Sequence, residues 1–183
     1  PVGFTKTLPS TTPDQLNFAV ITCANYEGGF YNAYNRIAEQ ELDAVIHLGD
    51  YIYEYETGHY AQQEVLDQGR IHRPLAEIKD LGDYRQRYSL YRTDTMLQRA
   101  HRMHPFIPIW DDHETANDSY KDGAQNHQDE EGSWEDRKTA AQQAYFEWMP
   151  IRDHKDRYIY RAFDFGVLVH LIMVDTRIDH DQM

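Results

Sequence analysis

The sequence is poor in cysteine and in basic residues, and it has no long apolar run. Because Cys23 is its single cysteine, no disulfide can form within the 183-residue chain. Its 18 lysines and arginines face 31 acidic residues, which gives a net charge of −13. This balance argues against nucleic acid as the main partner, which would favour a basic face. No stretch approaches the roughly twenty apolar residues of a transmembrane segment.

Several common catalytic motifs are also missing. There is no Gly-rich phosphate loop, no Gly-x-Ser-x-Gly elbow and no Cys-x-x-Cys pair. His101 and His104 resemble a helical pair, but the glutamate that a zinc-protease helix needs is absent. No signal peptide is visible either, although a processed secretory protein would also show none.

What is present predicts a βαβ unit, followed by further helices and strands. Leu16–Cys23 and Asp43–Leu48 are short apolar runs typical of strands, and Phe30–Glu41 between them has helical spacing. The two strands should therefore be parallel, with a right-handed crossover. Residues 1–15, rich in Thr, Pro and Ser, are predicted to be a linker or lead-in segment. The other predicted elements are a helix over Ile78–Met103, a strand over Phe106–Trp110, a helix over Trp134–Trp148 and a hairpin of Tyr158–Phe163 with Gly166–Val174.

Two predicted strands end abruptly in groups that bind metals. Gly49-Asp50-Tyr51-Ile52-Tyr53 follows the second strand, and Trp110-Asp111-Asp112-His113-Glu114 closes the third. Cys23 stands at the equivalent end of the first strand. Open α/β sheets bind ligands at the edge where the carboxyl ends of parallel strands meet. The pattern therefore predicts an enzyme that depends on a metal.

Each of these residues also has a structural alternative. A free tyrosine titrates near 10, so a phenolate ligand at Tyr53 would require a strongly polarising ion such as ferric iron. Tyr53 could instead be a core aromatic, and Cys23 a small buried hydrophobe. The acidic run at Asp111 could be a charged turn in which that residue caps a helix. Asn117 could reach back into the same loop.

Three further residues are more readily explained as structural. Asp175 and Arg177 follow another predicted strand, where they could bind a substrate anion or pair within the scaffold. We favour the scaffold for this pair. His47 lies inside a strand and is expected to be a core histidine with its hydrogen bonds satisfied.

The ordered motifs resemble those of the PhoD-type alkaline phosphatases, which belong to the calcineurin-like metallophosphoesterases. The resemblance runs from about Leu16 to Arg177. It implies an α/β fold in which a two-sheet β sandwich is flanked by helices and carries metals at its strand ends. It also implies a phosphate ester substrate and a secreted or periplasmic location. The motifs that carry it are Thr22-Cys23-Ala24-Asn25-Tyr26, Gly49-Asp50-Tyr51-Ile52-Tyr53-Glu54, Trp110-Asp111-Asp112-His113-Glu114 with Asn117, and Val174-Asp175-Thr176-Arg177.

The resemblance also implies cofactors and residue roles, with ferric iron (Fe3+) and calcium (Ca2+) as the metals. Cys23 and Tyr53 match iron ligands, and Asp50 matches the carboxylate that bridges iron to calcium. In the third motif, Asp112 matches a metal ligand, and we choose it over Asp111. Asn117 matches a further calcium ligand, and His113 matches the catalytic histidine that faces the phosphate.

One departure concerns the last metal motif of the family, Gly-Asp-x-His, which has no match here. The family's N-terminal β domain is also absent. We therefore expect residues 16–183 to be the first part of an incomplete catalytic domain. The predicted function is hydrolysis of phosphate monoesters and of diesters. The alternatives are a truncated or degenerate module that binds cations or phosphate without turnover, and a phospholipase D-like phosphodiesterase.

Overall fold

A computed structural model describes residues 2–152 and 158–179 of the chain. Residues 153–157 and 180–183 of the predicted domain lie outside these ranges. The strands are β1 (Phe18–Ile21), β2 (Ala44–His47), β3 (Phe106–Pro108), β4 (Arg161–Phe165) and β5 (Val169–Met173). The helices are α1 (Asn32–Ile37), α2 (Gln63–Leu66), α3 (Leu81–Tyr91), α4 (Thr95–Met103) and α5 (Trp134–Trp148), with a 3-10 turn at Asp129–Glu131.

The first three strands form one parallel sheet in the order β1-β2-β3. Val20 lies opposite Ile46, which in turn lies opposite Ile107. Helix α1 lies on the β1–β2 connection, so the predicted βαβ unit is confirmed. All four residues of β2 are buried, as expected for the central strand of a sheet covered on both faces.

Strands β4 and β5 form an antiparallel hairpin, the second sheet of the predicted α/β architecture. The ring of Phe165 packs edge-on against Phe18, with centroids 5.1 Å apart. The guanidinium of Arg161 donates to the carbonyl of Pro108. The hairpin is therefore anchored to the parallel sheet at both outer strands. Its first strand begins three residues later than predicted.

The prediction of a single helix over Ile78–Met103 was wrong, because the structure has two. Helix α3 ends at Tyr91, and α4 begins after Asp94, whose carboxylate accepts the N–H groups of Met96 and Leu97 at 2.9 and 3.0 Å. An aspartate with extended backbone at this position is a strong N-cap, and it starts a second helix.

The helices flank the sheets and close a core that is rich in tyrosine. Tyr51, Tyr84, Tyr88 and Tyr91 are all buried. Helix α5 packs on α3, where the ring of Trp148 is stacked with that of Tyr88. Among the described residues, no helix has both the length and the apolar character to cross a bilayer.

Residues 2–15 contain no helix or strand, although they contact the fold. The N–H of Phe4 donates to the carbonyl of Arg102 at 2.7 Å, and Lys6 pairs with Asp43 at 3.0 Å. The role of this segment as a linker stays a prediction.

Candidate metal centre

The loops after β1, β2 and β3 meet at one edge of the parallel sheet. The N–H of Cys23 donates to the carbonyl of Gly49 at 3.2 Å, and that of Ala24 donates to Asp50 at 2.7 Å. These bonds continue the pairing of β1 with β2 beyond the strand ends. They place the side chains of Cys23 and Asp50 next to each other.

Unusual backbone conformations direct these side chains. Cys23 and Asp50 have φ values of 58° and 55°, in the left-handed region that non-glycine residues rarely adopt. Gly49 has φ 101°, and a Cβ there would lie 2.2 Å from the amide nitrogen of Asp111. Only glycine permits this close approach of the two loops.

A buried carboxylate joins the second loop to the third. Glu114 accepts the N–H groups of Asp50 at 3.0 Å, Asp111 at 2.8 Å and Tyr51. Burial raises the pKa of Glu114 to about 8, helped by the charge of Asp50 and opposed by these backbone donors. The Glu114 carboxylate therefore lies beneath the loops after β2 and β3 and links their backbones.

The chain turns immediately after β3, and this turn decides which side chains share the site. The N–H groups of Thr115 and Ala116 both donate to the carbonyl of Asp112 at 2.8 Å. An extended segment would have separated Asp112 from His113. The turn instead brings ligand atoms of Asp50, Asp112 and His113 within 4.8 Å of one another, all three residues being buried.

Asp50 is the centre of a second group of donor atoms. Its Oδ2 lies 3.4 Å from the Sγ of Cys23 and 3.2 Å from the hydroxyl of Tyr53. Its Oδ1 is buried and has no hydrogen-bond partner among the described residues. A buried carboxylate oxygen without a partner is costly, so this atom indicates a position for a cation.

Burial favours the neutral forms of Asp50, Cys23 and Tyr53 when no cation lies between them. Burial raises the pKa of Asp50, and the charge of Asp112 adds to this effect while His113 opposes it. Partial burial also raises the pKa of the Cys23 thiol, and burial together with Asp50 raises that of Tyr53. A cation between them would reverse these shifts, because it stabilises thiolate, phenolate and carboxylate.

The donor set fits the implied ions to different degrees. Ligand atoms about 2 Å from one ion lie about 3 Å from each other, which is close to the spacing around the Asp50 Oδ2. A thiolate, a phenolate and a carboxylate suit ferric iron. Calcium takes six to eight oxygen ligands, of which Asp50 and Asp112 would supply a part.

The two neighbouring aspartates have different surroundings. Asp111 is half-buried, and its Oδ1 accepts the Nε of Arg177. Asp112 is buried, and its Oδ2 accepts the N–H of Asp118 at 2.6 Å. The geometry therefore favours Asp112 as the metal-facing residue. Arg177 pairs with Asp111, and its Nη2 also lies 3.7 Å from the Oδ1 of Asp112, so it contacts both aspartates of the candidate site. The Asp175 carboxylate accepts the N–H of Arg177 at 2.8 Å. A purely structural role for Arg177 stays a prediction.

His113 is held by an acid that the sequence analysis did not single out as a site residue. The Nδ1 of His113 lies 2.7 Å from the Oε2 of the fully buried Glu54. Burial alone would lower the pKa of His113, but the hydrogen bond and charge of Glu54 outweigh it, and the pKa rises to about 9. The position of Glu54, directly after the predicted ligand Tyr53, was the available signal.

Asn117 lies at the rim of this arrangement. Its backbone N–H donates to the Oε1 of Glu54 at 2.7 Å, and its side-chain amide donates to Gln125 at 2.9 Å. The structure thus places Asn117 in the loop that carries Asp112 and His113. Its ligand role remains a prediction.

The three other histidines considered in the sequence analysis have hydrogen-bond partners in the core. His47 is buried, with its Nε2 3.1 Å from the hydroxyl of Tyr34. The Nε2 of His101 lies 2.9 Å from the hydroxyl of Tyr51, and that of His104 lies 2.9 Å from the carbonyl of Ile37. His101 and His104, which resemble a helical metal-binding pair in the sequence, therefore both have hydrogen-bond partners in the core.

Comparison with known proteins identifies the family. The model of the PhoD-like phosphatases matches residues 18–183. Alkaline phosphatase D of Bacillus subtilis (strain 168) is 41% identical over 184 residues, which cover 97% of this chain and 31% of that protein. A solved structure described as the structure of PhoD superposes with a TM-score of 0.87 at 40% identity, covering 99% of this chain and 35% of the other. The chain thus spans about a third of the length of these relatives, and it belongs to the PhoD-like phosphatase family.

Proposed function

We propose that the chain supplies part of the active centre of a metal-dependent phosphoric ester hydrolase. The observation that carries the proposal is the environment of Asp50. One of its carboxylate oxygens contacts a thiol and a phenol, and the other is buried without a hydrogen-bond partner among the described residues. The carboxylate also lies within 4.8 Å of ligand atoms of Asp112 and His113. Membership of a phosphatase family supports this reaction class.

The first proposed ion is ferric iron, held by Cys23, Tyr53 and Asp50. The second is calcium, bound by Asp50 as the shared ligand, with Asp112 and Asn117. Bound metals would polarise the phosphoryl oxygens, offset charge in the transition state and orient an oxygen nucleophile. Deprotonation of Cys23 and Tyr53 would accompany the binding of iron.

His113 is proposed as the catalytic residue that faces the phosphate. Its Nδ1 is engaged by Glu54, so we assign the contact with the phosphate to Nε2. In this position the imidazole would donate a hydrogen bond to a phosphate oxygen or a proton to the leaving group. The stacked ring of Tyr53, with centroids 4.3 Å apart, supports this orientation.

The proposed substrates are phosphate monoesters, with diesters as a second class, and the proposed location is secreted or periplasmic. The net charge of −13 disfavours nucleic acid as the main partner. Cell fractionation of the source organism would test the location directly.

The central experiment measures metal content and phosphatase activity together. We expect iron and calcium in the purified protein, and loss of iron and of activity in Cys23→Ala and Asp50→Ala. Asp164→Ala, on the exposed face of the hairpin, serves as the matched control. Full activity in both site variants would refute the proposal, and zinc without iron would refute the roles of Cys23 and Tyr53.

A second candidate function is binding of cations or phosphate without turnover. The absence of a Gly-Asp-x-His motif in these 183 residues favours it. Binding of iron, calcium and inorganic phosphate by a protein that hydrolyses no ester would support this alternative. A panel of a phosphomonoester, a phosphodiester and phosphatidylcholine would also detect a phospholipase D-like activity.

A further inference from the structure

Three aromatic side chains, Tyr55, His59 and Tyr60, form a cluster beside the candidate metal centre that the roles above do not use. We call it the aromatic wall. The rings of Tyr55 and His59 are stacked, 3.9 Å apart and nearly parallel at 3°. Tyr60 stands perpendicular to both, at 5.1 Å from Tyr55 and 4.8 Å from His59.

The wall adjoins His113 directly. The ring centroid of His113 lies 5.7 Å from that of Tyr55 and 6.4 Å from that of Tyr60. Tyr60 is also 6.3 Å from Tyr53, again edge to face. A group attached to a phosphate at His113 would therefore come within reach of these rings.

The wall has a buried layer and an open layer. Tyr55 is 7% exposed, whereas Tyr60 is 50% exposed, a large fraction for an aromatic side chain that touches four other rings. Aromatic rings in the core bury nearly all their surface. The ring of Tyr60 instead leaves a broad apolar surface open to solvent at the rim of the site.

The segment that carries the wall is fixed by buried polar groups. The fully buried Glu27 accepts the N–H groups of Gly58 at 2.9 Å and His72 at 2.7 Å. The amide of Asn25 donates to the carbonyl of Tyr60 at 3.2 Å. The buried guanidinium of Arg87 donates to the carbonyl of Tyr55 at 3.1 Å. The open ring is thus presented on a preorganised loop, which lowers the entropic cost of binding.

We propose that Tyr60 is a specificity-determining residue whose ring contacts the alcohol part of the phosphate ester, and that this part is aromatic or otherwise flat and apolar. The inference rests on the proposed phosphatase function. Edge-to-face and stacked contacts with a planar group would add binding beyond that of the phosphate itself. An ester of a small aliphatic alcohol would leave the wall unused.

The test compares two pairs of probes on the metal-loaded protein. The first pair is phenyl phosphate and methyl phosphate, compared by kcat/KM. The second pair is phenylphosphonate and methylphosphonate, which cannot be hydrolysed at a P–O ester bond and are compared by Kd. In Tyr60→Ala we expect the phenyl-to-methyl preference to fall about three- to tenfold in both pairs.

Three variants serve as controls. Tyr60→Phe should keep the preference, since the ring carries it. Tyr60→Leu should repeat the loss with a smaller apolar side chain that has no ring. Tyr160→Ala removes a similarly exposed tyrosine, 54% exposed, next to the hairpin, and should leave both ratios unchanged.

The outcomes separate this inference from the proposed function. An unchanged preference in Tyr60→Ala and Tyr60→Leu, with both esters hydrolysed, would overturn the role of Tyr60 and leave the phosphatase function standing. Hydrolysis of neither ester would refute the proposed hydrolysis of monoesters, while the phosphonate pair would still decide whether the wall binds planar groups. A loss of preference in Tyr160→Ala would also count against the wall.

Discussion

The Oε2 of Glu54 and the Nδ1 of His113 are 2.7 Å apart, and this contact joins the loop after β2 to the loop after β3. The other oxygen of Glu54 accepts the backbone N–H of Asn117 at 2.7 Å and the amide of Asn126 at 2.9 Å. Among the described residues, these three partners of the Glu54 carboxylate all come from the segment that follows β3. The acid fixes both the ring and the loop that carries it.

Replacing Glu54 with Gln should lower activity while leaving the metals in place. The amide keeps the shape but presents a donor to His113 or to the backbone, so one contact is lost. We expect kcat to fall about 10- to 100-fold, as for other groups that orient residues at metal sites. Activity assays with elemental analysis check this, and Glu56→Gln, at an exposed acid two residues away, is the control. Loss of iron in the Glu54 variant would contradict a positioning role.

Asp112→Asn and Asp111→Asn should have different effects, although the residues are adjacent. Asp112 is buried beside Asp50 and His113, so neutralising it should weaken calcium binding at least about tenfold. Asp111 pairs with Arg177 at the half-exposed rim, so its change should cost less than about 1 kcal/mol of stability and leave calcium affinity intact. Calcium titration calorimetry distinguishes the two, and the reverse pattern would assign the ligand to Asp111.

Gly49→Ala should destabilise the protein far more than Gly58→Ala. Both glycines have left-handed φ values, 101° and 95°, so both changes introduce backbone strain of about 1 kcal/mol. A Cβ at Gly58 meets nothing within 4 Å, whereas one at Gly49 would clash with the backbone of Asp111. We expect a loss above about 3 kcal/mol for Gly49→Ala in urea unfolding. Equal losses would show that the two loops are not held in contact.

Stability should decrease in acid partly because of His47. Burial lowers its pKa from 6.5 to about 3, so the folded state keeps it neutral while the unfolded chain protonates. The contribution is complete above pH 6.5 and is lost progressively as the pH falls towards 3. Between pH 7.5 and 5.0 it amounts to about 2 kcal/mol. His47→Gln should flatten the pH dependence by that amount.

Urea unfolding in the presence of a chelator measures this difference without a contribution from bound metal. His170→Gln, at an exposed histidine of the hairpin, is the matched control and should keep the slope of the original protein. Identical slopes for all three proteins would show that His47 does not titrate on unfolding.

Much of the fold was predictable because its strands are short, apolar and bounded by turn residues. The βαβ unit, α5 and the hairpin all follow patterns set by local sequence. The break between α3 and α4 could not be predicted, because apolar residues continue across it at helical spacing. A single side chain decides it: Asp94 caps a new helix, and that depends on its backbone conformation.

The candidate site could be predicted as a set of residue types at one sheet edge. The different roles of the acidic residues after Trp110 could not be predicted. They depend on the turn that directs Glu114 beneath the backbone and Asp112 towards Asp50. Glu54 escaped notice for a related reason. Its position after Tyr53 places it near the site, but its contact with His113, 59 residues away, depends on the fold.

The left-handed backbone at Cys23 and Asp50 has a consequence for how this family can vary. Glycine would occupy either position with less strain, by about 1 kcal/mol each, but it would remove the donor atom. Under the proposed metal-binding roles, selection for stability and selection for metal binding oppose each other at these two positions. A relative that has lost its metals is expected to gain glycine here first, and such a substitution would serve as a sequence marker of lost catalysis.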